Sequence, residues 1–62
     1  MLSRAMEEAC DEVLKYGTIL VDEEANVNGA FVRKYWIEYK GVSWSLVKVN
    51  GVWIYARQEV LK

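Results

Sequence analysis

Histidine and proline are both absent from the 62 residues, and Cys10 is the single cysteine. Without histidine the chain holds neither a Ser-His-Asp nor a Cys-His arrangement for nucleophilic catalysis. One cysteine provides neither an internal disulfide nor the ligand set of a structural zinc site. A glycine-rich phosphate-binding loop is missing as well. We therefore expect a protein that is not an enzyme and that uses no cofactor and no metal.

Long apolar runs are also missing. The longest, Val52 to Ala56, has five residues, whereas a membrane-spanning helix needs about 20. The first residues contain no apolar stretch of signal-peptide length, and a lone cysteine fits a reducing compartment. These absences predict a cytoplasmic protein, of a cell or of an infected host cell, with no membrane partner.

A chain this short is expected to form one domain, residues 1–62, and to bury only about 60% of its unfolded surface. Because disulfides and metals are excluded, a dense core or self-association must stabilise it. The composition is suited to both, since 53% of the residues are hydrophobic and six of the eight aromatic residues lie between Lys34 and Ala56. These rings are therefore either core or a binding surface.

Charge is divided unevenly along the chain. Residues 1–29 carry seven acidic and two basic side chains, whereas residues 30–62 carry six basic and two acidic ones. Exposed charges of this number are ordinary for a small domain. We therefore interpret the asymmetry first as complementarity within one fold.

Apolar residues recur at spacings of three and four near the N-terminus, with charged residues between them. This period predicts an amphipathic helix over about residues 3–16. Ser3 can cap its start, and Gly17 is expected to end it in the left-handed conformation. Cys10 falls on the apolar side near Glu7 and Asp11, so burial and acidic neighbours should leave its thiol unreactive.

Beyond Gly17 the apolar period changes to two, which is typical of strands. Asn28-Gly29 and Asn50-Gly51 are signals for type I′ hairpin turns, and Lys40-Gly41 marks a third turn. Such short turns make neighbouring strands antiparallel. The predicted fold is α+β, an N-terminal amphipathic helix packed on a three- to four-stranded antiparallel meander sheet (α-β-β-β-β). The strands are predicted at about residues 18–25, 30–39, 42–49 and 52–58.

Two-residue turns also predict which side chains share a face of the sheet. The Asn50-Gly51 turn sets Lys48 opposite Trp53 and Val47 opposite Ile54. We expect the helix to cover the face with most of the rings, which carries Phe31, Tyr35, Ile37, Tyr39, Val42, Trp44, Leu46, Trp53 and Tyr55, with Leu20 alongside. The second face carries Val32, Lys34, Trp36, Glu38, Ser43, Ser45, Val47, Val49, Val52, Ile54 and Ala56.

The second face leads to the functional hypothesis. An antiparallel sheet normally presents a polar side to water, and a contiguous exposed apolar patch marks an interaction surface. We hypothesise a module that forms a homodimer, or binds and inhibits another protein, with no small-molecule substrate. Small helix-plus-sheet proteins of phages and other mobile elements often block a host protein, an analogy of size class alone. The predicted interface residues are Trp36, Val32, Lys34, Val47, Val49 and Ile54.

Two alternatives stay open at this stage. If the helix covers the second face instead, Trp36 is core. If the sheet binds nucleic acid, rings and cations would form a stacking platform in a basic groove, although no RNP-like motif is present and the isoelectric point lies near 5.3. The residues for nucleic-acid binding would be Arg33, Lys34, Lys40, Lys48 and Arg57.

The acidic segment from Asp22 to Gly29 carries oxygen ligands of the kind that calcium prefers. Asp22, Glu24 and Asn26 alternate as at the start of an EF-hand loop. Val27 stands where that loop needs glycine, however, and Arg33 stands where it needs glutamate. The segment is therefore interpreted as an acidic hairpin arm.

Overall fold

The computed structural model describes residues 2–61. One helix packs on a four-stranded open sheet whose strands follow chain order, each antiparallel to its neighbour. The predicted α+β fold and the α-β-β-β-β order are confirmed. The elements are α1 (Arg4–Tyr16), β1 (Thr18–Val27), β2 (Ala30–Tyr39), β3 (Val42–Val49) and β4 (Val52–Val60).

Helix α1 begins at a side-chain cap and ends at a glycine. The Ser3 hydroxyl accepts a hydrogen bond from the Met6 N–H at 3.2 Å, which satisfies one free donor of the first turn. The expected left-handed end is wrong, because Gly17 is extended, with φ −77° and ψ 170°. A Cβ on Gly17 would collide with the Ile37 side chain and the Val13 carbonyl. Glycine is therefore required here for close approach of the backbone to β2.

Three two-residue turns connect the four strands. Both residues of each turn have positive φ, from 49° at Asn50 to 85° at Gly29, and the third turn is Lys40-Gly41. This is the type I′ combination that matches the twist of antiparallel strands. The turn lengths set the register beside them, so Lys48 lies opposite Trp53, as predicted. Glu24 lies opposite Arg33 and Ile37 lies opposite Trp44 in the same way.

Two bulges shift the register away from the turns. In β1 the shift falls between Ile19 and Val21, and in β4 it places Val47 opposite Tyr55 while Lys48 stays opposite Trp53. The prediction that Val47 lies opposite Ile54 is therefore wrong, because Ile54 is the extra residue of a bulge. Beyond it the faces exchange, so Tyr55 leaves the helix-covered face and Ala56 joins it.

The helix covers the aromatic face, as expected. The buried core consists of Cys10 and Val13 from α1 and of Tyr35, Ile37, Trp44, Leu46 and Trp53 from the sheet. Two polar contacts orient the helix, since the Trp53 indole donates to Asp11 at 2.8 Å and the Tyr39 hydroxyl donates to Glu12 at 2.9 Å. Trp36 is therefore not part of this core.

The helix is shorter than the sheet that it covers. Its 13 residues span about 20 Å, whereas the 10 residues of β2 span about 33 Å. Phe31, which we expected on the covered face, consequently lies past the helix and is 60% exposed. Leu20 sits in the β1 bulge and is also exposed.

Candidate protein-interaction face

The sheet surface opposite α1, called the open face below, has no layer packed on it among the described residues. Side chains of one face alternate along a strand, so the register assigns the members of this face. Its apolar members are Val21, Ala25, Val27, Ala30, Val32, Trp36, Val47, Val49, Val52 and Tyr55, and its polar and charged members are Thr18, Glu23, Lys34, Glu38, Ser43, Ser45, Arg57 and Glu59.

Trp36 lies at the middle of the open face. It belongs to the inner strand β2, with Val21 opposite it in β1 and Ser45 opposite it in β3. Its indole Nε1 donates a hydrogen bond to Ser43 Oγ, yet 48% of the residue remains exposed. A ring with its polar atom already bonded to the sheet presents its apolar surface outward without losing much conformational freedom on binding.

A shallow groove runs beside this indole. It has a volume of about 330 Å³, and the residues that line it are Val21, Glu23, Lys34, Tyr35, Trp36, Ser45 and Val47. Glu23 and Lys34 face each other across β1 and β2. The groove therefore combines apolar side chains with charges of both signs.

The structure brings five of the six predicted interface residues onto one surface. Trp36, Val32, Lys34, Val47 and Val49 all lie on the open face by register. Ile54 is exposed but occupies the bulge, and Tyr55 takes the position beside Val47.

Sequence reasoning missed Val21 and Tyr55. A signal for the bulge was present in β4. Without an extra residue, the turn register would set Arg57 opposite Trp44 and Glu59 opposite Val42 on the covered face. Two charged residues on the face that the helix covers are less favourable than on the face in water, and this favours a shift of one residue before Arg57.

The basic residues of the nucleic-acid alternative do not form one platform. Lys34 and Arg57 lie on the open face, whereas Arg33 and Lys48 lie on the side of the helix and Lys40 lies in a turn. Lys48 sits over the Trp53 ring, its Nζ 4.4 Å from the centroid, so one cation contacts a ring that is already core.

Arg33 is already paired with acidic groups of the same fold. Its guanidinium donates two hydrogen bonds of 2.9 Å to the Asp22 carboxylate, and Glu24 lies 3.8 Å away. This bidentate contact lowers the pKa of Asp22 and raises the pKa of Arg33. The acidic arm thus neutralises the cation that it faces, and Asp22 is not a free calcium ligand.

Cys10 lies in the core at 0% exposure. Burial first, and then the charges of Asp11 and Glu7, raise the pKa of its thiol. A thiolate is the reactive form of cysteine, so this environment suppresses nucleophilic chemistry.

Residues 2–61 provide neither a metal site nor a membrane-spanning helix. No group of three or more metal-ligating side chains occurs among these residues. Across the same range, no helix is long and apolar enough to cross a membrane.

Comparisons of the chain with known protein families, with curated proteins and with solved structures find no match. Function is therefore inferred from the geometry of the chain itself.

Proposed function

We propose that this protein is a non-enzymatic interaction module that binds a protein surface through its open face, with Trp36 at the centre of the contact. The bound surface belongs either to a second copy of the chain or to another protein, which binding would block. The observation that carries the proposal is the half-exposed Trp36 indole, held by Ser43 in the middle of the open face.

The distribution of polarity over the open face supports a protein partner. Val21 in β1 lies opposite Trp36 and Val47 in β3 lies diagonal to it, while Lys34 and Glu38 flank Trp36 along β2 and Ser45 lies opposite it in β3. Protein interfaces commonly combine aromatic and apolar area with polar and charged groups. Tryptophan is also enriched among the few residues that contribute most of the binding energy.

Trp36→Ser tests the proposal, with Phe31→Ser as the matched control. Both residues are large and about half exposed or more, but Phe31 lies on the helix side of the sheet. Trp36→Ser should leave the circular dichroism spectrum unchanged and weaken association by about 2–4 kcal/mol. Mass from light scattering over a concentration series measures association between copies, and Phe31→Ser should match the wild type.

A photo-crosslinking residue placed at position 36, and separately at position 31, tests whether the open face binds another protein. If it does, position 36 should give a discrete crosslinked product that is absent from position 31. If Trp36→Ser keeps both its fold and its self-association, and position 36 crosslinks no more than position 31, the proposal is wrong. Added nucleic acid should not change the mass, whereas phosphate binding would raise it and would fall steeply with salt.

A further inference from the structure

Among residues 2–61, no strand pairs with the outer edge of β4, and this edge has a regular pattern. The Leu61 N–H donates to the Gly41 carbonyl at 2.9 Å, and Glu59 and Arg57 lie opposite Ser43 and Ser45. Antiparallel ladders alternate hydrogen-bonded and non-bonded pairs. The backbone groups of Arg57 and Glu59 therefore point inward to β3.

The same alternation directs the backbone groups of the intervening residues away from β3. Ala56, Gln58 and Val60 consequently present their N–H and C=O groups to the free edge. Such an edge is a template for another strand. Three successive outward positions, with no proline among them, are sufficient for a short antiparallel ladder.

The register in which a second β4 can pair is narrowly limited. A two-fold axis perpendicular to the sheet keeps each face on its own side. An odd-numbered residue of one β4 must therefore lie opposite an odd-numbered residue of the other, and an even-numbered residue opposite an even-numbered one. An axis at Arg57 or at Glu59 brings like charges together at the centre, which is unfavourable. An axis at Ala56 places the irregular Ile54 inside the ladder.

An axis at Gln58 avoids both the contact between like charges and the irregular residue Ile54. Arg57 of each copy then lies opposite Glu59 of the other, which makes two opposite-charge pairs at non-hydrogen-bonded positions, where facing side chains approach most closely. Gln58 then lies opposite Gln58 of the second copy, and Ala56 of each copy lies opposite Val60 of the other. The three outward pairs can form about six main-chain hydrogen bonds.

From these constraints we propose that two copies of the chain pair antiparallel through β4, with Gln58 on the two-fold axis, and form one continuous sheet. The pairing covers Val60, which is 74% exposed in the single chain. It also brings Leu61, another exposed apolar residue, opposite Tyr55 of the second copy.

The other edge of the sheet is unsuited to the same contact. Asp22, Glu23 and Glu24 follow one another in β1, so two copies of β1 would bring six carboxylates together. The bulge at Leu20 also interrupts its ladder. Of the two edges, β4 is therefore the one assigned to a second copy, and this inference does not rest on the function proposed for the open face.

Charge reversal within β4 tests the pairing directly. Arg57→Glu places two glutamates opposite each other at both pairs, and Glu59→Arg does the same with arginines. Each single variant should weaken the dimer at least tenfold by sedimentation equilibrium, while the double variant Arg57→Glu/Glu59→Arg should recover wild-type affinity because each pair is restored in reverse. Glu8→Arg, the same charge change on the exposed side of α1, should leave the mass unchanged.

Amide hydrogen exchange of the wild type provides a second measurement that needs no variant. The N–H groups of Ala56, Gln58 and Val60 should become protected as concentration rises, whereas those of Arg57 and Glu59 should be protected at every concentration.

A wild type that remains monomeric at millimolar concentration overturns the proposal. So does a dimer in which Ala56, Gln58 and Val60 exchange freely, or a double variant no tighter than the single ones. A dimer that Trp36→Ser dissociates and Arg57→Glu does not would also overturn it, and would place the second copy on the open face instead.

Discussion

Gly17 and Gly51 must both be glycine, but for different physical reasons. Gly51 has φ +80° and open space around the position of a Cβ, so its requirement is conformational. Gly17 has an ordinary negative φ and no open space, because the Ile37 methyl and the Val13 carbonyl occupy the position of its Cβ. The helix-to-strand junction is therefore limited by packing, and the hairpin by backbone geometry.

This contrast leads to a prediction on stability. Gly17→Ala should lower the free energy of unfolding by about 1–3 kcal/mol through overpacking, and Gly51→Ala should lower it by about 1 kcal/mol through left-handed strain. Ile37→Leu removes the methyl on the Ile37 Cβ, so it should relieve part of the first loss and none of the second. Urea unfolding of the single and double variants measures both couplings. Additive losses for Gly17→Ala and Ile37→Leu would contradict the packing account.

At the scale of elements, one exposed ion pair crosses the two strands of the first hairpin. Asp22 in β1 accepts two hydrogen bonds from Arg33 in β2, and this contact lowers the pKa of Asp22 below its ordinary value of 3.8. A carboxyl whose pKa is lowered by folding stabilises the folded state above its unfolded pKa. That stabilisation is lost as the pH falls through the lower, folded value.

We therefore expect Asp22→Asn to remove part of the acid dependence of stability. The difference in unfolding free energy between wild type and variant should be constant above about pH 5 and should shrink below pH 3.8. Chemical denaturation over a pH series measures it. In an Arg33→Gln background the same substitution should have no such acid-dependent effect, and an undiminished effect there would assign the shift to another partner.

The bulge in β4 decides which residues of that strand face the helix. With Ile54 inserted, Ala56 packs toward the core, and Arg57 and Glu59 face away from it. Deletion of Ile54 removes the extra residue but keeps this order, because Tyr55 then follows Trp53 directly and stays opposite Val47, with Arg57 opposite Ser45. The deleted chain should therefore remain folded by circular dichroism. Ile54→Thr, which keeps the bulge, should remain folded as well; a deletion variant that unfolds would mean that the fold depends on the bulge itself and not only on the faces that the register sets.

The same element shows how far the fold was predictable. The apolar period of α1 and the Asn-Gly turns act over a few residues, so the helix, the strand order and the pairing beside each turn followed from local rules. The bulges and the conformation of Gly17 depend on packing between distant segments, which no local rule contains. For the candidate site, Trp36, Val32 and Val47 were predicted on the correct face. That Tyr55 and not Ile54 lies beside Val47 could be found only with the β4 bulge.

At the scale of the whole molecule, the two proposed surfaces act on different parts of the sheet. Pairing through β4 would join two four-stranded sheets edge to edge, with both helices on one side and both open faces on the other. Each Trp36 would then belong to one surface twice as wide. A partner with two matching sites would be bound with higher avidity than a single open face provides.

Pairing through β4 also predicts that stability depends on protein concentration. Association that favours the folded state stabilises it by mass action, by about 1.4 kcal/mol per mole of dimer for each tenfold rise in concentration. The urea midpoint of the wild type should therefore rise between about 5 µM and 500 µM. Arg57→Glu should show a much smaller rise, and the double variant Arg57→Glu/Glu59→Arg should regain it. A midpoint that stays constant for the wild type, or that rises equally for Arg57→Glu, would contradict a folded state held together by β4.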